Sequence, residues 1–415
     1  MKRITRFLGA NVIRRHLPHG LVHWRYIFPN QPQPIRIHRN LWRRGHVRLP
    51  LPFGWFLEAW LYSRWILCGA WLSTWHCVRH LGAEVQSREG ISIPRQTWRV
   101  LRLSLATCLP ASTIYQFRLY RDPKRVWDYV YAHELPAFHH WRNKALGERP
   151  ESIMLLQDKC KLGERLRAEG IPLTETLAVV TCGDQIDFSP YLDRYPRLFC
   201  KPRHGSGAKH AFYVEKSGNG SSPLIHTFEG ETISFPATGE LLHRHLTQDD
   251  YLVEPYLENH PALAMLTDSG EAVTIRLITE HTNTKCYSAV IEIPVRSRKQ
   301  GISEQQIYVI LPINMESGVI ESIPENKRPL KPLAAHQIVT EKIQGKPLPY
   351  WQELRASALA AHRLFPDIFA IAWDFVVTPA GPRLLEGNAG WATAMPQILH
   401  GGLLTTLSAE MSLRP

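Results

Sequence analysis

Near its C-terminal end the chain reads IFAIAWDFVVTPAGPRLLEGNAGW, residues 368–391. Asp374 and Glu386 interrupt apolar, strand-like runs on either side of TPAGP, where folding alone asks for Val or Leu. Pro and Gly end strands and make turns, so residues 378–382 predict a hairpin loop. Pairing Val377 with Arg383 across it sets Asp374 opposite Glu386, about 5 Å apart on one face. Asn388, two residues on, shares that face, whereas Trp373, Phe375 and Val377 point the other way. Two carboxylates held among apolar strands repel and resist ionisation unless a cation lies between them. Asp, Glu and amide oxygens are hard donors of the kind Mg²⁺ accepts while keeping positions for water and phosphate. An edge hairpin with solvated acids is the plainer alternative, and the choice rests on the rest of the chain.

Two further stretches could handle phosphate or a base. LFCKPRHGSGAKHAFYVE, residues 198–215, puts Lys201 at the end of an apolar strand, then His204, Gly205, Ser206 and Gly207, then a second strand. Glycine lets backbone N–H groups close on phosphate oxygens, and a nearby lysine adds a compact positive charge. Such a loop covers phosphate as a lid does, although most GSG stretches are turns. Neither GxxxxGK[ST] nor GxGxxG occurs in it, which excludes a P-loop or a dinucleotide turn. YLVEPYLEN, residues 251–259, is an apolar strand ending in acids and an aromatic ring. There backbone groups could read a base edge while Glu254 or Glu258 takes an amino or hydroxyl group; an ordinary strand exit is the alternative. No GxSxG or HExxH is present, so nucleophilic-serine and zincin chemistry fall away.

These residues need elements to hold them. Residues 154–170, MLLQDKCKLGERLRAEG, have helical apolar spacing and stop at Gly170. TETLAVVT, PRLFCKP, HAFYVE, DYLVEPYL and EAVTIRLITE read as strands, and YWQELRASALAAHRLF, residues 350–365, as an amphipathic helix leading into the hairpin. The class is therefore α+β or α/β with antiparallel hairpins. VRSRKQGISEQQ, residues 295–306, is a basic, turn-rich stretch that is either a solvated loop or a grip for an acidic substrate.

The first third differs. Residues 1–150 hold 24 Lys and Arg against 7 Asp and Glu, a net of +17, whereas residues 151–415 hold 25 against 30, a net of −5. Ten of the 13 tryptophans lie in that first third, in clusters such as HRNLWRRGHVR and the aromatic helix within residues 51–78. Trp beside Arg suits a segment lying in a membrane interface, where indoles sit at headgroup depth and Arg meets anionic lipid. Packing of this helix on the rest of the protein is the competing reading. The charge-free run from Trp65 to Val78 falls short of the roughly 20 residues a spanning helix needs. No nucleic-acid module motif accompanies the basic residues. Seven scattered cysteines without a CxxC pair fit a reducing compartment, and the N-terminus lacks the unbroken apolar core of a secretory signal. A cytoplasmic chain, peripheral to the inner membrane face through residues 1–90, is the expectation.

The order of these features, Lys159, Lys201 with its glycine loop, VEPYLEN, Arg276 and then the acidic hairpin, resembles the ATP-grasp superfamily. DKCKLGERLRAEGIPLTETL, TIRLIT, GKPLPYW and AWDFVVTPAGPRLLEGNAGW look like its sugar-transfer-associated branch, relatives of alpha-L-glutamate ligases. The resemblance implies an ATP-grasp fold, two α+β subdomains clamping ATP, preceded by a mainly helical, basic region over residues 1–149. The ATP-grasp domain would cover 150–415, with a lid subdomain over about 172–250 and a metal-binding core over about 251–405. It implies that Lys159 and Lys201 hold ATP phosphates, that residues 204–208 form the lid, and that Glu254, Tyr256 and Leu257 hold adenine with Glu258 on the ribose. Asp374, Glu386 and Asn388 match the metal ligands, for two Mg²⁺ ions with Mn²⁺ as a substitute. Arg276 matches a catalytic arginine facing the γ-phosphate or acyl phosphate, with Lys201 its catalytic partner. Ala208 departs from the pattern, since many relatives carry glycine there. The implied activity is ligation of a small or glycan-linked carboxylic acid, through an acyl phosphate, to an amine, a thiol or a similar nucleophile, in envelope or surface-polysaccharide synthesis. The alternatives are an ATP-grasp kinase and a non-catalytic, membrane-associated nucleotide-binding protein; the sequence fixes no oligomeric state.

Overall fold

The computed structural model describes residues 21–45, 53–181, 187–205, 210–216, 224–227, 232–234, 249–267, 271–281, 286–297, 305–332 and 334–406. Two compact units emerge. Unit 1 comprises Met1–Arg142, Ile323–Pro332 and Ala392–Pro415; unit 2 comprises Asn143–Ser322 and Leu333–Trp391.

Unit 1 is helical among its described residues: α1 Gln33–Gly45, α2 Phe53–Arg64, α3 Ala70–Glu89, α4 Ile93–Thr107 and α5 Ala111–Gln116, with Ala394–His400 returning to it from the end of the chain. A π-turn, Trp65–Gly69, joins α2 to α3. Glycine at 69 makes room there for the Trp65 ring, which packs where a Cβ would sit and gives its Nε1–H to the Ser104 carbonyl at 3.2 Å. Gly90 stops α3 in a left-handed conformation, φ +67°, and Pro94 pre-sets the first turn of α4. Val85, Val100, Ile114, Tyr115 and Tyr120 form the core between these helices. No described helix is long and apolar enough to cross a membrane.

Unit 2 contains helices α6 Pro150–Gln157, α7 Lys159–Ala168, α8 Ala334–Ile343 and α9 Trp351–Arg363, and two antiparallel sheets. The first consists of β1 Ala178–Val180, β2 Arg197–Pro202, β3 Phe212–Glu215, β4 Leu224–Thr227, β5 Thr232–Ser234 and β6 Tyr251–Pro255, ordered β1-β6-β2-β3-β4-β5. This sheet therefore extends past residue 250. The second runs β11-β10-β7-β8-β9, from β7 Thr274–Glu280, β8 Cys286–Ser297, β9 Gln305–Pro312, β10 Ala370–Thr378 and β11 Gly381–Asn388. One of its faces, with Ile275, Leu277, Ile291, Ile371, Trp373, Phe375 and Val377, joins Leu354, Ala358 and Ala361 of α9 in the largest core of the unit. The other face is free to carry polar groups.

Three local expectations are corrected. The helix read over 154–170 breaks at Asp158, whose carboxylate accepts from the N–H groups of Cys160 and Lys161 and so caps α7. The hairpin loop shrinks to Pro379 and Ala380, because Thr378 pairs with Gly381, which takes a left-handed φ of +105°. Val377 consequently pairs with Pro382 rather than Arg383. A bulge at Leu385 then adds one residue to β11, and Asp374 still faces Glu386. The basic stretch at 295–306 lies largely outside the described residues, which resume at β9.

Candidate active site

The polar face of the second sheet carries a row of charge. Glu386 on β11, Asp374 on β10 and Arg276 on β7 are directly paired across three neighbouring strands. Directly paired residues share a face, so alternation that buries Trp373 and Phe375 on one side sends all three of these to the other. Arg276 holds Asp374 in a two-pronged pair, Nε to Oδ1 at 2.7 Å and Nη2 to Oδ2 at 2.9 Å, and reaches Glu292 of β8 with Nη1 at 2.9 Å. Asp374 is buried, and burial pushes its carboxyl up while Arg276 pulls it back and Glu386 adds to the push. For Arg276 burial works against the charge, but the bonds to Asp374 and the nearby Glu292 and Glu386 outweigh it and hold the guanidinium protonated. Burial also raises Glu292, again opposed by Arg276. Asn388 donates its Nδ2–H to Glu386 at 3.0 Å, which leaves its oxygen as the atom to offer a cation.

A metal finds suitable donors in that row. Among the described residues no three His, Cys, Asp or Glu side chains are grouped to hold an ion, so the candidate set is Asp374, Glu386 and the Asn388 amide. An ionised carboxylate has about four acceptor positions, and Arg276 occupies only two on Asp374. Two hard carboxylates and one amide oxygen, with no soft ligand, suit Mg²⁺ or Mn²⁺ and leave room for water and phosphate.

Two lysines face the same cleft. Lys159, the first residue of α7, donates from Nζ to the Gly205 carbonyl at 2.7 Å, and its backbone N–H bonds the Arg203 carbonyl. Burial lowers the Lys159 ammonium; Glu386 opposes that effect and Lys201 reinforces it. Lys201 pairs with Glu254 at 2.9 Å, both side chains nearly buried, on the face of the first sheet away from its apolar core. The cleft beside them is lined by Lys159, Thr174, Lys201, Glu254, Leu384 and the bulged Leu385, so the bulge brings the acidic hairpin to the lysines. The Thr174 hydroxyl is buried there without a hydrogen-bond partner.

The sequence matches the family model described as sugar-transfer associated ATP-grasp over residues 144–411. The chain belongs to that family. Solved structures similar to this ATP-grasp protein include an ATP-grasp ligase, PsnB, complexed with a minimal precursor, at 12% identity over 63% of this chain and 64% of that one, TM-score 0.36. Another is the D-alanine–D-alanine ligase of Bacillus anthracis, at 13% identity over 63% and 68%, TM-score 0.36. A third is the D-cycloserine synthetase DcsG, at 15% identity over 69% and 80%, TM-score 0.38. The match thus spans less than two thirds of the first of these chains. No curated protein matches the sequence. Family membership bears out the α+β ATP-grasp fold, and the described helices of unit 1 bear out a helical N-terminal region.

Within the ATP-grasp protein, Lys159, Lys201, Glu254, Arg276, Asp374, Glu386 and Asn388 fall in unit 2 on elements that face the cleft or its polar sheet. His204 lies at the loop entrance, where its backbone N–H and its ring both bond Asp249, and Gly205 receives Lys159. Ser206 and Gly207 lie outside the described residues. Tyr256 gives its N–H to the Arg197 carbonyl, its ring against Tyr213 and Arg197. Leu257 is half-buried and Glu258 exposed. Sequence reasoning missed Glu292, Asp158 and Arg203. Arg203 holds Asp158 through two bonds, at 2.9 and 2.7 Å, and Asp250 at 3.2 Å, tying the lysine helix to the loop. The Arg203 guanidinium pulls Asp158 down to about 2. The signal for this lock was present as an Asp directly before Lys159, the usual residue type for a helix cap. Glu292 left none, because its role exists only once β8 lies beside β7.

Proposed function

We propose that this protein is an ATP-dependent ligase that activates a carboxylate as an acyl phosphate and passes it to an amine, releasing ADP and phosphate. The observation that carries the reading is the aligned Glu386–Asp374–Arg276 row, two carboxylates against one guanidinium with Asp374 buried between its neighbours, in the same unit as the cleft that holds Lys159 and Lys201. A structural sheet has no use for such a row. Under this reading the first sheet with residues 204–208 is the lid, and Glu254, Tyr256, Leu257 and Glu258 form the hinge for adenine and ribose. Asp374, Glu386 and Asn388 would hold Mg²⁺, two ions in the full complex, and the metal would supply charge neutralisation on the phosphates.

The chain's own groups have a definite task in this chemistry. A carboxylate and a triphosphate are both anionic, and their approach in a low-dielectric cleft is opposed by several kcal/mol, on the order of 4 kcal/mol for a close pair at effective dielectric 20. Lys159 and Lys201 offset that repulsion on the phosphate side and Arg276 on the acyl side. A carboxylate oxygen forms a bond to the γ-phosphorus as the β–γ bridging bond breaks and ADP leaves. The amine nitrogen then attacks the acyl carbon, the carbon–oxygen bond to phosphate breaks, and the nitrogen gives up a proton to water. Positioning and charge stabilisation carry phosphoryl transfer, so no protein nucleophile is needed.

The reading extends to place. Trp55, Phe56, Trp60, Ile66, Leu67, Trp71, Leu72 and Trp75 are exposed along α2, the π-turn and α3. This aromatic face, in a region of net charge +17, supports an anionic lipid surface as its occupant; a second copy would bring like charge against it. The substrate is accordingly proposed to be an envelope or glycan-linked acid met at the inner membrane face.

Purified protein with Mg²⁺-ATP and pooled acids and amines tests the activity. Stimulated release of ADP and phosphate is expected, with Glu386→Gln folded but inactive. ADP with a stable phosphorylated product would instead make it a kinase, and absence of ATP binding would overturn both.

A further inference from the structure

Unit 1 holds a cavity that the proposed ligation does not use. It measures about 310 Å³, the size of a small-molecule site. Its walls come from residues after α5, the 326–327 turn and the end of the Ala394–His400 helix, and they carry four cations, Arg118, Arg121, Arg125 and Lys327, against one acid, Asp122. Behind them Glu89, with its side chain 3% exposed, accepts from Arg118, from Arg121 Nε at 2.6 Å and from the Tyr120 hydroxyl at 3.0 Å. One buried carboxylate thus fixes two guanidinium groups while neutralising one. Arg118 also donates to the Arg328 carbonyl at 2.8 Å. It takes a left-handed φ of +52°, a conformation that glycine adopts freely and a residue with a Cβ resists. Strain of that kind persists where the surroundings enforce it, and it collects at functional sites.

The remaining groups fit the same purpose. Arg125 lies over the Tyr129 ring at 5.2 Å, with Asp128 3.6 Å from its Nε. Asp122 is engaged in capping, its carboxylate accepting the Lys124 N–H at 3.1 Å. Set against Glu89, Asp122 and Asp128, the four cations leave positive charge uncompensated. Arg121 and Arg125 remain 40% and 49% exposed, able to turn further donors to a solute. Gln116 and Asn326 add amides to the wall.

We propose that this cavity binds a phosphate-bearing molecule of sugar size, its phosphate taken by Arg121, Arg125 and Lys327 and its hydroxyls by the amides. Planar guanidinium groups pair with phosphate in two-pronged fashion, and Arg121, held by Glu89, has less freedom to lose on binding.

Titration calorimetry of the full chain with glucose 1-phosphate, inorganic phosphate and glucose tests the assignment. The two phosphates should bind and glucose should not. Arg121→Gln/Arg125→Gln should weaken glucose 1-phosphate by about tenfold or more at unchanged melting temperature. Arg118 is left intact in this variant so that Glu89 keeps a partner; if the double variant nevertheless melts early, Lys327→Gln should show the same weakening. No heat with either phosphate, or undiminished binding by folded variants, overturns the proposal. Phosphatidylglycerol vesicles form the last arm: if they need Arg121 and Arg125 and the soluble phosphates do not, the ligand is a lipid headgroup and the sugar-sized solute is wrong.

Discussion

Single residues in unit 2 are legible as chemistry before they are legible as structure. Asp374, Glu386 and Arg276 stand out by type, because strands of this apolar quality do not otherwise tolerate charge. What the sequence hides is their mutual dependence. Arg276 serves Asp374 and Glu292 at once, so Arg276→Met would strand the buried Asp374 and the half-buried Glu292, at an expected cost of about 3–5 kcal/mol in urea unfolding. A loss below 1 kcal/mol would mean that the carboxylates are already solvated. His362 offers a test away from the cleft. Its Nε2–H donates to the Ile368 carbonyl at 3.0 Å and its Nδ1 accepts from Thr279 at 2.6 Å, an arrangement that satisfies the neutral ring. Burial, with a smaller contribution from His281, lowers it from 6.5 to about 4. Between those values the unfolded chain binds a proton that the folded chain does not. Stability is therefore full above pH 6.5 and falls as pH drops toward 4, by about 3 kcal/mol in all. His362→Gln should flatten that part of the pH–stability curve; an unchanged slope would assign it to other groups.

At the scale of elements, the hairpin shows what periodicity can and cannot deliver. Alternation put Asp374 and Glu386 on one face and Trp373 on the other, and both hold. The register between them was reached by a different route, because a two-residue turn shifts the pairing by one and the bulge at Leu385 shifts it back. Bulges leave no composition signal, since any residue can be the extra one. The same hairpin needs Gly387 for a reason invisible in sequence. A Cβ there would lie 2.4 Å from the Trp373 ring, which is fully buried and gives its Nε1–H to Thr279 at 2.9 Å. Gly387→Ala must displace that ring or the strand carrying Glu386 and Asn388, costing about 1–3 kcal/mol and weakening Mg²⁺-dependent nucleotide binding. Gly390→Ala is the control, as its Cβ meets nothing within 4 Å. Equal melting temperatures and nucleotide affinities for the two variants would refute the account. The break at Asp158 belongs to the same class, a cap residue read through as helix because its neighbours keep the helical period.

For the whole molecule the decisive quantity is the uneven distribution of charge and aromatic surface, which the sequence displayed openly. It could not say whether the tryptophans of residues 51–78 face inward. Trp65 does, at 2% exposure, while Trp60, Trp71 and Trp75 are 47%, 52% and 60% exposed. Phe56 and Trp60 before the π-turn, and Leu67, Trp71 and Trp75 from it onward, recur at spacings of four, and all five are exposed. Arg79 follows, its guanidinium 5.4 Å from the Trp75 ring. Helix α1 adds exposed Arg36, Arg43 and Arg44 and is tied to α2 through Trp42 Nε1–H to the Tyr62 hydroxyl at 2.8 Å. Indoles gain by sitting at headgroup depth, and each basic residue near an anionic surface adds about 1 kcal/mol. The two contributions respond to different variables, which makes the reading testable. The protein should float with vesicles containing phosphatidylglycerol, less with neutral ones, and less as salt rises. Trp60→Ser/Trp71→Ser/Trp75→Ser should weaken flotation strongly and leave only a remainder that salt removes, while ATP turnover in solution persists. Should the triple variant float like the parent, the aromatic face is not the contact and the basic residues alone account for the binding.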